Sequence, residues 1–169
     1  MKTNRYILFL ILALFGASIG SYAQSTATAN ISATIVTPIT ISKVQDMNFG
    51  DMSVVSGQGS VTLSPAANSR LASGGVELMD ATNVSFASFK VSGAIGATFS
   101  ISLPQSPVLL SNGESTMTVS EFTSTPTATS GLTNGTKSIL VGATLHVNGS
   151  QALGTYQSVA PFPVTVNYN

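Results

Sequence analysis

The chain closes on Phe162-Pro163-Val164-Thr165-Val166-Asn167-Tyr168-Asn169. Phe162, Val164, Val166 and Tyr168 fall on one face of an extended strand, with Pro163, Thr165, Asn167 and Asn169 on the other. Side chains alternate along a pleated strand, so a period of two gathers each apolar set on a single face. A stretch near the start repeats the pattern: Ala29, Ile31, Ala33 and Ile35 alternate with Asn30, Ser32, Thr34 and Val36. Both read as half-apolar strands. A domain bounded by such strands is expected to be a sandwich whose edges can pair with a neighbouring copy.

Inward from the C-terminal stretch, Lys137 to Val147 carries the longest alternation, with Ile139, Val141, Ala143, Leu145 and Val147 on one face. Asn148-Gly149 turns it, and Gly154-Thr155-Tyr156 leads to the final strand. Ala87, Phe89 and Val91 form a strand ending at Ser92-Gly93, and Phe99, Ile101 and Leu103 form one stopped by Pro104. Val108 to Ser111 and the Met117, Val119 pair are short strands flanking the turn Ser111-Asn112-Gly113. Towards the N-terminus, Ile39, Ile41 and Val44 follow Thr37-Pro38, where the missing N–H marks an edge, a bulge or a change of partner.

Asp46 to Asp51 reads as a turn with Phe49 anchored beneath it, and Ser56-Gly57-Gln58-Gly59 as a turn opening a short strand from Ser60 to Leu63. Ala66 to Asp80 is the least regular stretch, with Gly74-Gly75 as a tight connection. Thr123 to Gly135, rich in Thr, Ser, Pro and Gly, reads as a loop without a hydrophobic period. After residue 23 nothing sustains a helical period for three turns, and no repeat of solenoid length is present. The expectation is an all-β sandwich of about eight or nine strands in a single domain, residues 24–169.

Residues 1–23 read as a signal peptide: Lys2 and Arg5 precede the apolar run Tyr6 to Phe15, and Ser21-Tyr22-Ala23 supplies small residues for cleavage. The run is short for a bilayer span, so no membrane span is expected once it is removed. An exported protein is expected, in the periplasm, at the cell surface or outside the cell. Without any Cys, its fold is held by its core and not by disulfides. The expected mature part carries Lys43, Arg70, Lys90 and Lys137 against Asp46, Asp51, Glu77, Asp80, Glu114 and Glu121. That is too little charge of either sign to draw it to nucleic acid or an anionic membrane.

Catalytic chemistry finds little to build on. His146 is the only His and lies opposite Leu145 and Val147 on its strand, where a solvated surface residue is expected. There is no Gly-x-Ser-x-Gly elbow, no phosphate-cradling loop and no dinucleotide fingerprint. One His and no Cys cannot supply a zinc or copper site. The acidic pairs Asp46 with Asp51, Glu77 with Asp80 and Glu114 with Glu121 sit in or beside turns, where carboxylates cap and solubilise. Asp46, Asn48 and Asp51 miss the calcium-loop spacing, lacking Gly at the sixth position and Glu at the twelfth. No cofactor, metal or catalytic residue is expected. Phe89, Phe99 and Phe162 alternate with polar neighbours and read as core, whereas Phe86 and Phe122 are less clearly placed. Tyr168 reads equally as core or as the last clasp of a joint between subunits.

An ordered set of segments carries a family resemblance. It runs Ala33-Thr34-Ile35-Val36-Thr37-Pro38-Ile39, Asp46-Met47-Asn48-Phe49-Gly50 and Gly59-Ser60-Val61-Thr62-Leu63-Ser64-Pro65. It continues with Gly96-Ala97-Thr98-Phe99-Ser100-Ile101, Val141-Gly142-Ala143-Thr144-Leu145, Gly154-Thr155-Tyr156 and Val164-Thr165-Val166-Asn167-Tyr168. The set resembles the small exported bacterial family called domain of unknown function 4402, over nearly all of residues 24–169. More distantly it is similar to spore coat protein U and to chaperone–usher fimbrial subunits. That relation implies an immunoglobulin-like sandwich and assembly by donor-strand exchange. Two departures weaken it: fimbrial subunits usually carry a disulfide, and Gln24 to Ala27 is short for an extra extension, which leaves open whether Ala29 to Ile35 completes this domain's own sheet as its first strand or a neighbour's.

The function expected is therefore that of a non-enzymatic secreted or surface structural protein, a fimbria-like subunit that joins copies of itself or related subunits. Its working positions would be Ala29, Ile31, Ala33, Ile35, Phe162, Val164, Val166 and Tyr168. The alternative is a monomeric adhesin-like module presenting loops such as Thr123 to Gly135 to a glycan or protein ligand.

Overall fold

The computed structural model describes residues 23–169. The signal peptide read over residues 1–23 lies, apart from Ala23, outside the described residues. Ile35–Asn169 forms one compact unit, and Thr34 is the last residue of the part before it.

Eleven strands follow one another, and no helix is present among the described residues. They are β1 (Thr40–Gln45), β2 (Met52–Ser64), β3 (Ser69–Leu78), β4 (Ala87–Ser92), β5 (Thr98–Ser102) and β6 (Val108–Ser111). After them come β7 (Thr116–Thr125), β8 (Thr129–Gly131), β9 (Thr136–Val147), β10 (Gln157–Ser158) and β11 (Thr165–Tyr168). The fold is an all-β sandwich, as expected, with more strands than the alternation alone revealed.

Every pairing is antiparallel. The larger, curled sheet runs β1-β4-β9-β7-β6-β10, with β2 also on β9 and β3 on β2; the smaller runs β11-β5-β8. β9 is the spine. One of its edges is taken by β4 along Thr136–Val141 and by β2 along Thr144–Val147, while β7 takes the other. Its alternation feeds two apolar clusters. Ala143, Leu145 and Val147 join Phe49, Val61, Leu63, Val76, Met117 and Val119 in the first. Ile139 and Val141 join Ala87, Val91, Phe99, Leu132 and Val166 in the second. Each fully buried Leu, Ile, Val or Phe contributes about 1.5–3 kcal/mol of transfer free energy, which makes β9 the element the sandwich depends on most.

Three stretches depart from the sequence reading. Ser56 to Gly59 does not turn the chain. β2 is continuous, and the register passes from Val54 opposite Val76 to Gly59 opposite Gly74, so that four residues bulge out against Gly75 alone. The reversal comes after β2, where Asn68 takes a left-handed φ of 47°. Second, Ala66 to Asp80 is mostly the ten-residue strand β3, and Gly74-Gly75 lies inside it. The glycines are there for clearance: a Cβ on Gly75 would fall onto the Ser56 carbonyl, and one on Gly74 would collide with the Gln58 carbonyl. Third, Thr123 to Gly135 contains the end of β7 and all of β8, and Leu132 beyond them is fully buried. A Ser/Thr-rich composition there reflects partly exposed strand faces around one apolar anchor, so the stretch is not a free presenting loop.

Candidate functional site

The four C-terminal positions singled out by alternation come together on the second cluster. Val166 is buried, and Phe162, Val164 and Tyr168 pack half-buried around it. Phe162 meets Phe89 edge-on at 6.3 Å and Phe122 at 5.1 Å, which also places Phe122 against the apolar interior. Such aromatic pairs add roughly 0.5–1.5 kcal/mol beyond their buried area.

β11 pairs only with β5. Asn169 donates its N–H to the Thr98 carbonyl (3.2 Å), whereas Ile101, opposite Val166, turns its N–H away to the Ala128 carbonyl (2.7 Å). Antiparallel bonds alternate residue by residue, so Thr165, Asn167 and Asn169 bond towards β5. Val166 and Tyr168 therefore present their N–H and C=O groups on the opposite side. Among the described residues no backbone group pairs with that side.

Tyr168 is a clasp within the molecule. Its hydroxyl accepts from the Ala94 N–H (2.7 Å) and donates to the Thr37 carbonyl (2.7 Å). Gly93 makes room, since a Cβ there would collide with the hydroxyl. The clasp holds the chain just before β1.

Ala29, Ile31, Ala33 and Ile35 belong to no strand, and every residue from Ala23 to Pro38 is exposed. Ile31 is 98% and Ile35 99% accessible. Ala29–Ile35, which the sequence leaves open as this domain's own first strand or a neighbour's, forms no strand in the isolated chain. A period of two selects a face but not a partner, and Pro38 removes the donor that would carry a ladder on into β1.

The register of β7 on β9 creates a pair that the sequence reading missed. Thr118 lies opposite His146, and Ser120, two residues on, places its Oγ 2.8 Å from His146 Nε2. The ring sits beside Gln58, Ser60, Ser73 and Asn148 at a shallow hollow. Among the described residues no carboxylate hydrogen-bonds the ring to orient it, and none of the acidic residues forms a group of three that would hold a metal ion. The turn at Asp46 to Asp51 is engaged internally. Lys43 pairs with Asp46 at 2.8 Å, the Asn48 side chain accepts from the Gly50 N–H at 2.8 Å, and Arg70 donates to the carbonyls of Asp51 and Met79. Burial lowers the Arg70 pKa, with the Asp51 carboxylate acting in the opposite sense.

The sequence from Ile39 to Tyr168 matches the model of the family described as domain of unknown function (DUF4402). The chain belongs to that family. The DUF4402 match opens at the residue before β1, closes on the last residue of β11 and takes in all eleven strands. Residues 29–36 fall before it. No curated protein and no solved structure matches the chain, so the likeness to spore coat protein U and fimbrial subunits rests on the motifs alone.

Proposed function

We propose that this DUF4402 protein is an exported, non-enzymatic structural subunit that joins copies of itself by strand addition, with residues 29–36 as the added strand. One observation carries the reading: an alternating apolar segment, outside the family domain, leaves Ile31 and Ile35 almost wholly in water. Burying each isoleucine would contribute about 1.5–3 kcal/mol, and each ladder hydrogen bond a net 0.5–1.5 kcal/mol or so. Main-chain pairing supplies the affinity in such joints, and the alternate side chains set the register.

The test uses residues that touch nothing in the isolated chain. Light scattering and size exclusion of the unsubstituted protein should show species that grow with concentration. The double variant Ile31→Asp with Ile35→Asp should stay monomeric while its thermal melting is unchanged. A wild-type protein that remains monomeric at high concentration overturns the reading.

A further inference from the structure

We infer that the acceptor for residues 29–36 of a second copy is the outer edge of β11, in the gap between β11 and β1; this rests on the strand-addition reading above. The backbone groups left free on β11 belong to Val166 and Tyr168, whose side chains face the second cluster. A strand laddered onto them therefore sets its own alternate residues over the same cluster. The cluster is thinly covered there: Ile39 and Ile41 flank it from the β1 side, and Val164 and Tyr168 from the β11 side, all only partly buried. β1 and β11 meet where Tyr168 binds Thr37 and share no ladder. Ile31 and Ile35, about 13 Å apart along a strand with Ala33 between them, fit that exposed apolar strip.

Other edges fit less well. The β3 edge is broken by Gly74, at a left-handed φ of 69° opposite the β2 bulge, β10 has two residues, and β8 has three, next to Ala128 at a φ of 53°.

Charge points to the same pair of surfaces. Every charged residue after Arg5 lies between Lys43 and Lys137, so residues 24–42 and 138–169 carry none. Charged side chains are the usual protection of a sheet edge, and they are missing from both the segment and the edge proposed to receive it. The length is adequate too. The four residues of β11 span about 13 Å, enough to hold the stretch of the segment from Ile31 to Ile35, with the six residues of β1 beyond it. The occupant is a second copy because the chain's own segment enters β1 through Thr37, held by Tyr168, and Pro38. Ala23 to Pro38 are exposed and belong to no strand.

The chain has no Cys, so introduced thiols report single contacts. Full-length Ser32→Cys and Thr34→Cys, outward positions on the segment, are each mixed under mild oxidation with Thr165→Cys or Asn167→Cys, outward positions on β11. Leu71→Cys on the β3 edge serves as comparison. At least one β11 combination should give a covalent dimer roughly tenfold faster than any combination with Leu71→Cys, since a disulfide needs Cα atoms about 4.4–6.8 Å apart. Testing both outward positions on each strand covers either orientation and a two-residue slip. Assembly that persists with cross-links to Leu71→Cys, or with none to β11, overturns the acceptor and leaves strand addition standing. A protein that never assembles overturns both.

Discussion

Gly75 and Gly142 show how single residues set the shape of this sandwich. At Gly75 the bulged β2 passes so close that the Ser56 carbonyl occupies the space of a side chain. At Gly142 the edge of β9 passes from β4 to β2, and a Cβ would run into the Leu63 carbonyl and lie 2.7 Å from Pro65 Cδ. Backbone cannot yield as a flexible side chain does, so Gly75→Ala and Gly142→Ala should each destabilise by about 2–3 kcal/mol, as overpacked cores do. For a chain of this size that lowers the melting temperature by roughly 5–10 °C. Gly131→Ala is the control: nothing lies within 4 Å of its added Cβ, and its melting temperature should not fall. Melting by circular dichroism distinguishes the cases, and a normal melt for Gly75→Ala would show that the bulge relaxes freely. In the sequence Gly74-Gly75 reads as a turn because glycine pairs usually are turns. Their reason here is a neighbouring strand more than a dozen residues away, which no local pattern records.

β9 and the segment 29–36 carry the same period of two and have opposite fates. In β9 the alternation was sufficient: Ile139, Val141, Ala143, Leu145 and Val147 are all buried, because strands flank both its edges. In residues 29–36 the apolar positions were readable and their partner was not, since periodicity encodes a face and a ladder requires another strand. Thr123 to Gly135 failed differently; β8 is too short, and Leu132 too isolated, to leave a periodic trace. β11 lies between these extremes, with the face legible and its one-sided pairing hidden. Hydrogen exchange should follow this ordering. Amides of Ile139 to Leu145 should be the slowest, opening only with the whole fold, while those of Val166 and Tyr168 exchange quickly in dilute protein because their N–H groups face away from β5. On assembly Val166 and Tyr168 should slow by at least about tenfold, and β3 edge amides should not change. Slow exchange at Val166 in the monomer would mean that its outer side is already paired.

At the scale of the whole molecule, charge separates the family domain's central stretch from the two segments proposed to join. After Arg5 every charged side chain sits on the stretch from Lys43 to Lys137, which builds β1 to the start of β9, while residues 24–42 and 138–169 have none. Neutral ends joined by main-chain hydrogen bonds and buried isoleucines have little Coulombic energy to lose when salt screens the solution. Between about 0.01 M and about 1 M salt the Debye length falls from about 30 Å to about 3 Å, enough to abolish attraction between exposed charged patches. Assembly through residues 29–36 should therefore shift its midpoint concentration by less than about threefold over that range, and a strengthening salt such as sulfate should favour it, since excluded ions promote apolar burial. A midpoint that rises tenfold or more with sodium chloride would locate the joint on the charged central stretch. Sedimentation velocity across a salt series, run on the protein and on the Ile31→Asp, Ile35→Asp variant together, separates the two, because only salt-insensitive association that the variant lacks is association through the neutral ends.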